Sequence, residues 1–173
     1  MKTTSRRIVV DADVKSKCGG LQKSANDADF TPIREVLQSM LDVCHRVVLS
    51  DDLKSEMDAR GGQWFMRWLR MMKVRRKVVW LSPGVDDLFK RIARDRTIDA
   101  ERRRRIAKDA HVLNLAIAAD GLLLSCDDVL RRDWQGLPDR HQPQRRVAIL
   151  NPEKQTPTTC LAAFDRGVQS RIR

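Results

Sequence analysis

The chain has 173 residues, 42% of them hydrophobic, and carries 34 Lys and Arg against 23 Asp and Glu, a formal charge of +11. Residues 1–173 therefore read as one domain with one core, and the longest apolar runs fall far short of the roughly 18 residues that cross a bilayer. The polar start offers only Ile8, Val9 and Val10 before Asp11, too little for a secretory signal, so the expectation is a soluble, cytoplasmic protein with no membrane partner.

Four scattered cysteines (Cys18, Cys44, Cys126, Cys160) without a CxxC pair, and only three histidines, signal neither a zinc site nor a disulfide framework; reduced structural thiols are expected. The arginine-rich excess favours a polyanion, nucleic acid first. Phosphate loops of the GxxxxGK[ST] or GxGxxG type are absent, so no nucleotide cofactor is expected.

In chain order, short branched runs predict strands at 8–10, 46–50, 77–82, 122–125 and 146–150. Helical patterns lie between them. One starts at Thr31-Pro32 and runs to about Val43. A second, capped by Asp51 or Asp52, carries Leu53, Met57, Trp64, Phe65, Trp68, Leu69 and Met72 and is open to a break at Gly61-Gly62. A third opens at Pro83 and runs through Ile92, and a long one spans about Asp99 to Asp120 before Gly121. A short helix follows Asp127, and a last one runs from about Thr158 to Val168. Polar loops are expected over 15–29 and 135–146. Alternation of this kind predicts a three-layer α/β/α domain with a mostly parallel sheet of about five strands.

The acidic residues fall where such a sheet binds ligands. Asp11 follows the first strand and Asp127 follows "LLLS", so both stand at carboxyl ends of parallel strands. Glu56 turns toward the apolar stripe of its helix. Asp109 precedes Val112, Leu113 and Ala116 on the face that meets the sheet, where an unpaired carboxylate costs several kcal/mol. It needs a metal ion or a basic neighbour, Arg105 being the local choice. Taken singly, each carboxylate is as readily a helix cap or a surface ion pair. Taken together, four hard oxygen donors without histidine or thiol suit Mg²⁺ or Mn²⁺, and beside a basic surface their use is phosphodiester hydrolysis.

The segments "IVVDADV", "VVLSDDLKSEM" and "KDAHVLNLAIAADGLLLSCDDVLRR" resemble the successive motifs of PIN-domain proteins, metal-dependent ribonucleases that include the VapC toxins. Order and spacing match over nearly the whole chain, and "VAILNPEKQTPTTCLAAFDRGVQ" resembles the ending of small bacterial PIN-like proteins. The resemblance implies an α/β/α sandwich and a bound Mg²⁺ or Mn²⁺. It also implies endonucleolytic RNA cleavage leaving 5′-phosphate and 3′-hydroxyl ends. Asp11, Glu56, Asp109 and Asp127 would be the catalytic acidic ligands. Asp13, where the family commonly has Asn, and Ser125, where it commonly has Thr, would support them, and Asp128 competes with Asp127 for the fourth place. A toxin of this kind would have an antitoxin protein as partner, and a homodimer is compatible with the resemblance.

Two other readings compete. A degenerate PIN-like module would bind RNA or a protein without cutting. "IVVDADV" and "LLLSCDD" also resemble haloacid-dehalogenase-like phosphatases, with Asp11 as nucleophile and Asp13 as acid/base, although Lys15 replaces that family's Thr or Val and Glu56 and Asp109 are left without a task. For the nucleic acid, Arg102, Arg103 and Arg105 with Arg75 and Arg76, and beyond them Arg91 and Arg94, could rim the acidic site. Trp64, Trp68 and Trp80 read as core. Trp134, placed in a loop, is the aromatic left to stack on a base, and Asp133 reads as a solvated residue or a partner of Arg131 or Arg132.

Overall fold

Ile8, Val9 and Val10 are fully buried, as are Leu122, Leu123 and Leu124, and a strand apolar on both faces belongs in the middle of a sheet covered twice. The computed structural model, which describes residues 5–19, 27–141 and 143–166, places them so. Strands β1 (Arg7–Val10), β2 (Arg46–Leu49), β3 (Val78–Trp80), β4 (Leu122–Leu124) and β5 (Ala148–Leu150) form one all-parallel sheet in the order β3-β2-β1-β4-β5. Val9 stands beside Val48 on one side and Leu123 on the other. Trp80, expected in the core, ends the edge strand β3 and is 49% exposed.

Parallel strands need crossovers, and crossovers are right-handed. Because the strand order runs outward from β1 in both directions, the β1–β2–β3 connections cover one face and the β3–β4–β5 connections the other. The first set comprises α1 (Ala12–Ser16), α2 (Asp27–Asp42), α3 (Asp51–Asp58) and α4 (Gln63–Val74). The second comprises α5 (Asp87–Arg94), α6 (Ala100–Lys108), α7 (Ala110–Ala118), α8 (Asp128–Gln135) and α9 (Pro143–Arg146). The closing α10 (Pro157–Arg166) packs on α2. Reversal of direction between β1 and β4 makes a topological switch point, the crevice where open α/β sheets bind ligands.

Several boundaries differ from expectation for local reasons. Helix α2 begins at Asp27, with Pro32 inside it, and not at Thr31. The long helix over 99–120 is two: Asp109 closes α6 and opens α7 with φ −98° and ψ 12°. Pro83 opens no helix, because the Asn114 amide holds Gly84 O (2.7 Å) and Asp86 N–H (3.0 Å) and Asp86 then caps α5. The loop expected over 15–29 is helical at both ends, its residues 20–26 lying outside the described ones. The loop over 135–146 contains a 3-10 turn, Asp139–His141, and α9, with Gln142 outside the described residues. The end of the last helix beyond Arg166 also lies outside them. The cysteines are free thiols, and burial pushes that of Cys18 up to about 12.

Candidate active site

Asp11 leaves β1 and caps α1, its Oδ1 accepting from Ala12 N–H at 2.7 Å, while its own N–H donates to Leu124 O at 2.9 Å and fixes it beside the end of β4. Asp127 leaves β4 and caps α8, Oδ1 accepting from Val129 and Leu130 N–H at 2.7 and 2.9 Å. The two carboxylates thus flank the switch point. Helix α6 runs back along α8, with Arg102 at Gly136 O (2.9 Å) and Arg105 at Asp133 (2.5 Å), and this direction delivers its last residue, Asp109, to the Asp127 end. Glu56 comes from the second turn of α3.

The electrostatics are those of like charges brought together. Burial first, then the charges of Asp11 and Asp127, push the Asp109 carboxyl up to about 6. Burial also raises Asp11, with Glu56 adding to it. Asp13, on the first turn of α1, is pushed up to about 7 by burial and by Asp11. Its Oδ2 accepts from Ser125 Oγ–H (3.2 Å) and Cys126 N–H (2.9 Å), and Ser125 Oγ accepts from Asp127 N–H (3.1 Å). Ser125, fully buried, therefore couples the loops after β1 and β4. Asp13 Oδ1 is buried without a hydrogen-bond partner among the described residues.

The expected ligands converge unequally. Glu56 is held by Arg60 (2.7 Å) and by His111 Nε2 (3.2 Å), a residue that sequence reasoning passed over although it stands two positions beyond Asp109. Asp128 turns away to Lys154, Asn151 Nδ2 (3.0 Å) and Arg131 (3.1 Å), cations that with the Asn151 amide bring its carboxyl down to about 2. Among the described residues no three His, Cys, Asp or Glu side chains already form a ligand set. The donor chemistry nonetheless fits a hard divalent cation. The carboxyls of Asp11 and Asp109 are raised by burial and by neighbouring carboxylates, one Asp13 oxygen is unpartnered, and each Glu56 oxygen keeps a second acceptor position beyond Arg60 and His111.

Beside this edge lies a cleft of about 400 Å³ between the ends of β2 and β3 and the start of α7, lined by Ser50, Asp51, Ser82, Pro83, Ala110 and His111.

The arginines expected around the carboxylates are placed otherwise. Arg75 and Arg76 precede β3 and so lie at the opposite edge of the sheet, where Arg75 donates to Leu41 O at 2.8 Å and pairs with Asp42. They do not rim the site. Arg103 donates to Asp95 O (3.0 Å), and Arg102 and Arg105 are held by Gly136 O and Asp133. Asp133 is thus neither solvated nor the partner of Arg131 or Arg132, and Arg105 serves it and not Asp109. Trp134 is no loop residue: it is buried on α8 with Nε1–H donating to Pro143 O (3.0 Å) and Val147 O (3.1 Å), so no base stacks on it.

Fold and site together define an all-parallel α/β protein with partly buried carboxylates at its switch point. No family model matches the chain, and no curated protein matches it either. No helix among the described residues is long and apolar enough to cross a membrane.

Proposed function

We propose that the chain is a Mg²⁺- or Mn²⁺-dependent endoribonuclease, with Asp11, Asp109, Asp127 and Glu56 holding the cation. The observation that carries the reading is the Asp109 carboxyl, half-buried and raised to about 6 beside Asp11 and Asp127 with no basic side chain bonded to it among the described residues. Such an arrangement is costly for a merely structural purpose, since the nearby charge of Lys108 offsets it only in part. A bound Mg²⁺ or Mn²⁺ supplies a water of lowered pKa and neutralises charge on the leaving oxygen.

The chain's own residues do the rest. Asp11 and Asp127 are oriented by the helix N-termini they cap, which leaves the outer oxygen of each for the site. Asp13 and Ser125 hold the two loops in register. His111 and Arg60 fix Glu56 at the rim. The net charge of +11 and the family resemblance support RNA as substrate. A phosphatase would leave Glu56, held at the rim by Arg60 and His111, and the raised Asp109 without a task, which counts against that alternative.

The test is cleavage of a labelled single-stranded RNA pool by wild type and an Asp11→Asn, Asp109→Asn variant with Mg²⁺, Mn²⁺ or EDTA. Metal-dependent cutting should fall at least about a hundredfold in the variant, the scale of losing metal-centre contacts. Equal cutting by the variant overturns the site. RNA binding without cutting under any metal makes the chain a binding module, and hydrolysis of a phosphomonoester in its place makes it a phosphatase.

A further inference from the structure

Helix α4 starts at Gly62, whose φ of +115° is left-handed and where a Cβ would stand 2.3 Å from the Lys15 carbonyl oxygen. Only glycine fits there, and the α3–α4 turn is pressed against the end of α1. Beside the turn is a cleft of about 430 Å³ lined by Arg60, Gly61, Gln63, Met66, Arg67 and Arg70. The last four are spaced three, four and seven along α4 and share one exposed face.

Among the described residues no carboxylate lines this cleft, and Arg67 and Arg70 have no ion-pair partner. Lys15 adds its charge from beneath, its ammonium donating to Met57 O. Arg60 is shared, since it also holds Glu56 one helical turn away. Two neighbouring guanidiniums without a carboxylate, Arg67 and Arg70, repel each other and favour an anion, and planar forks suit phosphate oxygens in particular. Its size suits the backbone of one strand. By contrast, the α6 arginines 102, 103 and 105 are spent on contacts within the protein.

We infer that the α3–α4 cleft holds backbone phosphates of a single RNA strand next to the phosphate at the carboxylates, with Arg67 and Arg70 as the contacts. The inference rests on the nuclease reading for the identity of the strand and its direction from the site, and on the cleft alone for phosphate binding.

The experiment is binding of a fluorescent single-stranded oligoribonucleotide to the full chain in EDTA across a salt series, for wild type and for Arg67→Ala, Arg70→Ala. Losing two phosphate contacts should lower the slope of log K against log salt by about 1.4, so that the wild-type advantage shrinks about sevenfold between about 50 and about 200 mM salt. An Arg67→Lys, Arg70→Lys variant keeps the charges and should keep the slope, which separates contact from misfolding. An Arg102→Ala, Arg103→Ala variant should leave the slope in place. Unchanged affinity and slope in the Arg67, Arg70 alanine variant overturn the inference even where wild type cuts RNA. The expected loss of slope in a protein that never cuts RNA upholds the cleft and overturns the nuclease reading. Failure of wild type to bind RNA overturns both.

Discussion

Two groups of aspartates are withdrawn from solvent in this molecule and meet opposite fates. At the switch point, Asp11, Asp13 and Asp109 lie partly buried beside each other and their carboxyls are raised. Between α5, α6 and α8, Asp95 and Asp133 are 8% exposed yet surrounded by cations. Asp95 takes Arg140 and His141, which hold its carboxyl well below the usual range, and Asp133 takes Arg105 and Arg102. Among the described residues no arginine is bonded to Asp11, Asp13 or Asp109, although Arg60 is held at Glu56 beside them. Paired carboxylates serve architecture; on the proposed function, the carboxylates left without a bonded base would hold a cation.

If the second group is architecture, breaking it should damage the fold and spare the chemistry. Asp133→Asn leaves Arg105 facing a neutral amide in the seam between α6 and α8 and should lower the melting temperature by several degrees, a larger change in stability than substitution of Asp13 or Asp128 brings. RNA cleavage per folded molecule should stay within a few fold. An unchanged melting temperature would mean that solvent, reaching an Arg105 side chain 37% exposed, already screens the pair.

The first group should answer in the reverse sense. A carboxyl raised from the ordinary range to about 7 binds its proton more tightly in the folded than in the unfolded state. Wild-type stability in EDTA should therefore fall as pH rises from about 4 to about 7. Asp13→Asn removes that charge while keeping an acceptor for Cys126 N–H. It should raise stability at pH 8 by on the order of 2 kcal/mol and flatten the decline, leaving a remnant from Asp11 and from Asp109, the latter ending near pH 6. Thermal melts at pH 4 and pH 8 decide it, and a loss of stability at pH 8 would show that the Asp13 carboxylate is satisfied as an anion.

The same contrast explains what could be read in advance. Strands, parallel order and the placing of Asp11 and Asp127 follow from apolar runs ended by an acid, because a strand buried on both faces has no other pattern. The division of the long helix at Asp109 was hidden: no Gly or Pro marks it, and both halves keep the helical period. Asp133 and Trp134 carried a legible signal, since Leu130, Asp133, Trp134 and Leu137 share one buried face. The brevity of the apolar run after Asp127 concealed it. The direction of the arginines was legible only in part, because long side chains pair along their helix, as Arg105 does with Glu101, and also reach partners on other elements. Arg105 had Asp109 within reach along its own helix and took Asp133 from α8. Arg75 and Arg76 failed for a simpler reason, as residues before a strand lie at the edge opposite to those after it.

The finest form of the contrast lies within one dipeptide. Asp127 and Asp128 are chain neighbours, yet Asp127 faces Asp109 while Asp128 belongs to Lys154, Arg131 and Asn151. Asp128→Asn should cost no more than about 1 kcal/mol near neutral pH, the range of partly exposed pairs. Because its folded carboxyl is lowered to about 2, that difference should vanish as pH falls from about 4 to about 2. Cleavage should change by less than a few fold. Asp127→Asn keeps an equally good helix cap and hence the fold, but removes a charge from the switch point, so cleavage should fall by about tenfold or more. A reversed pair of results would give the fourth acidic place to Asp128, with Lys154 and Arg131 released when the cation binds, and would make the boundary between site and architecture something that the bound ion itself draws.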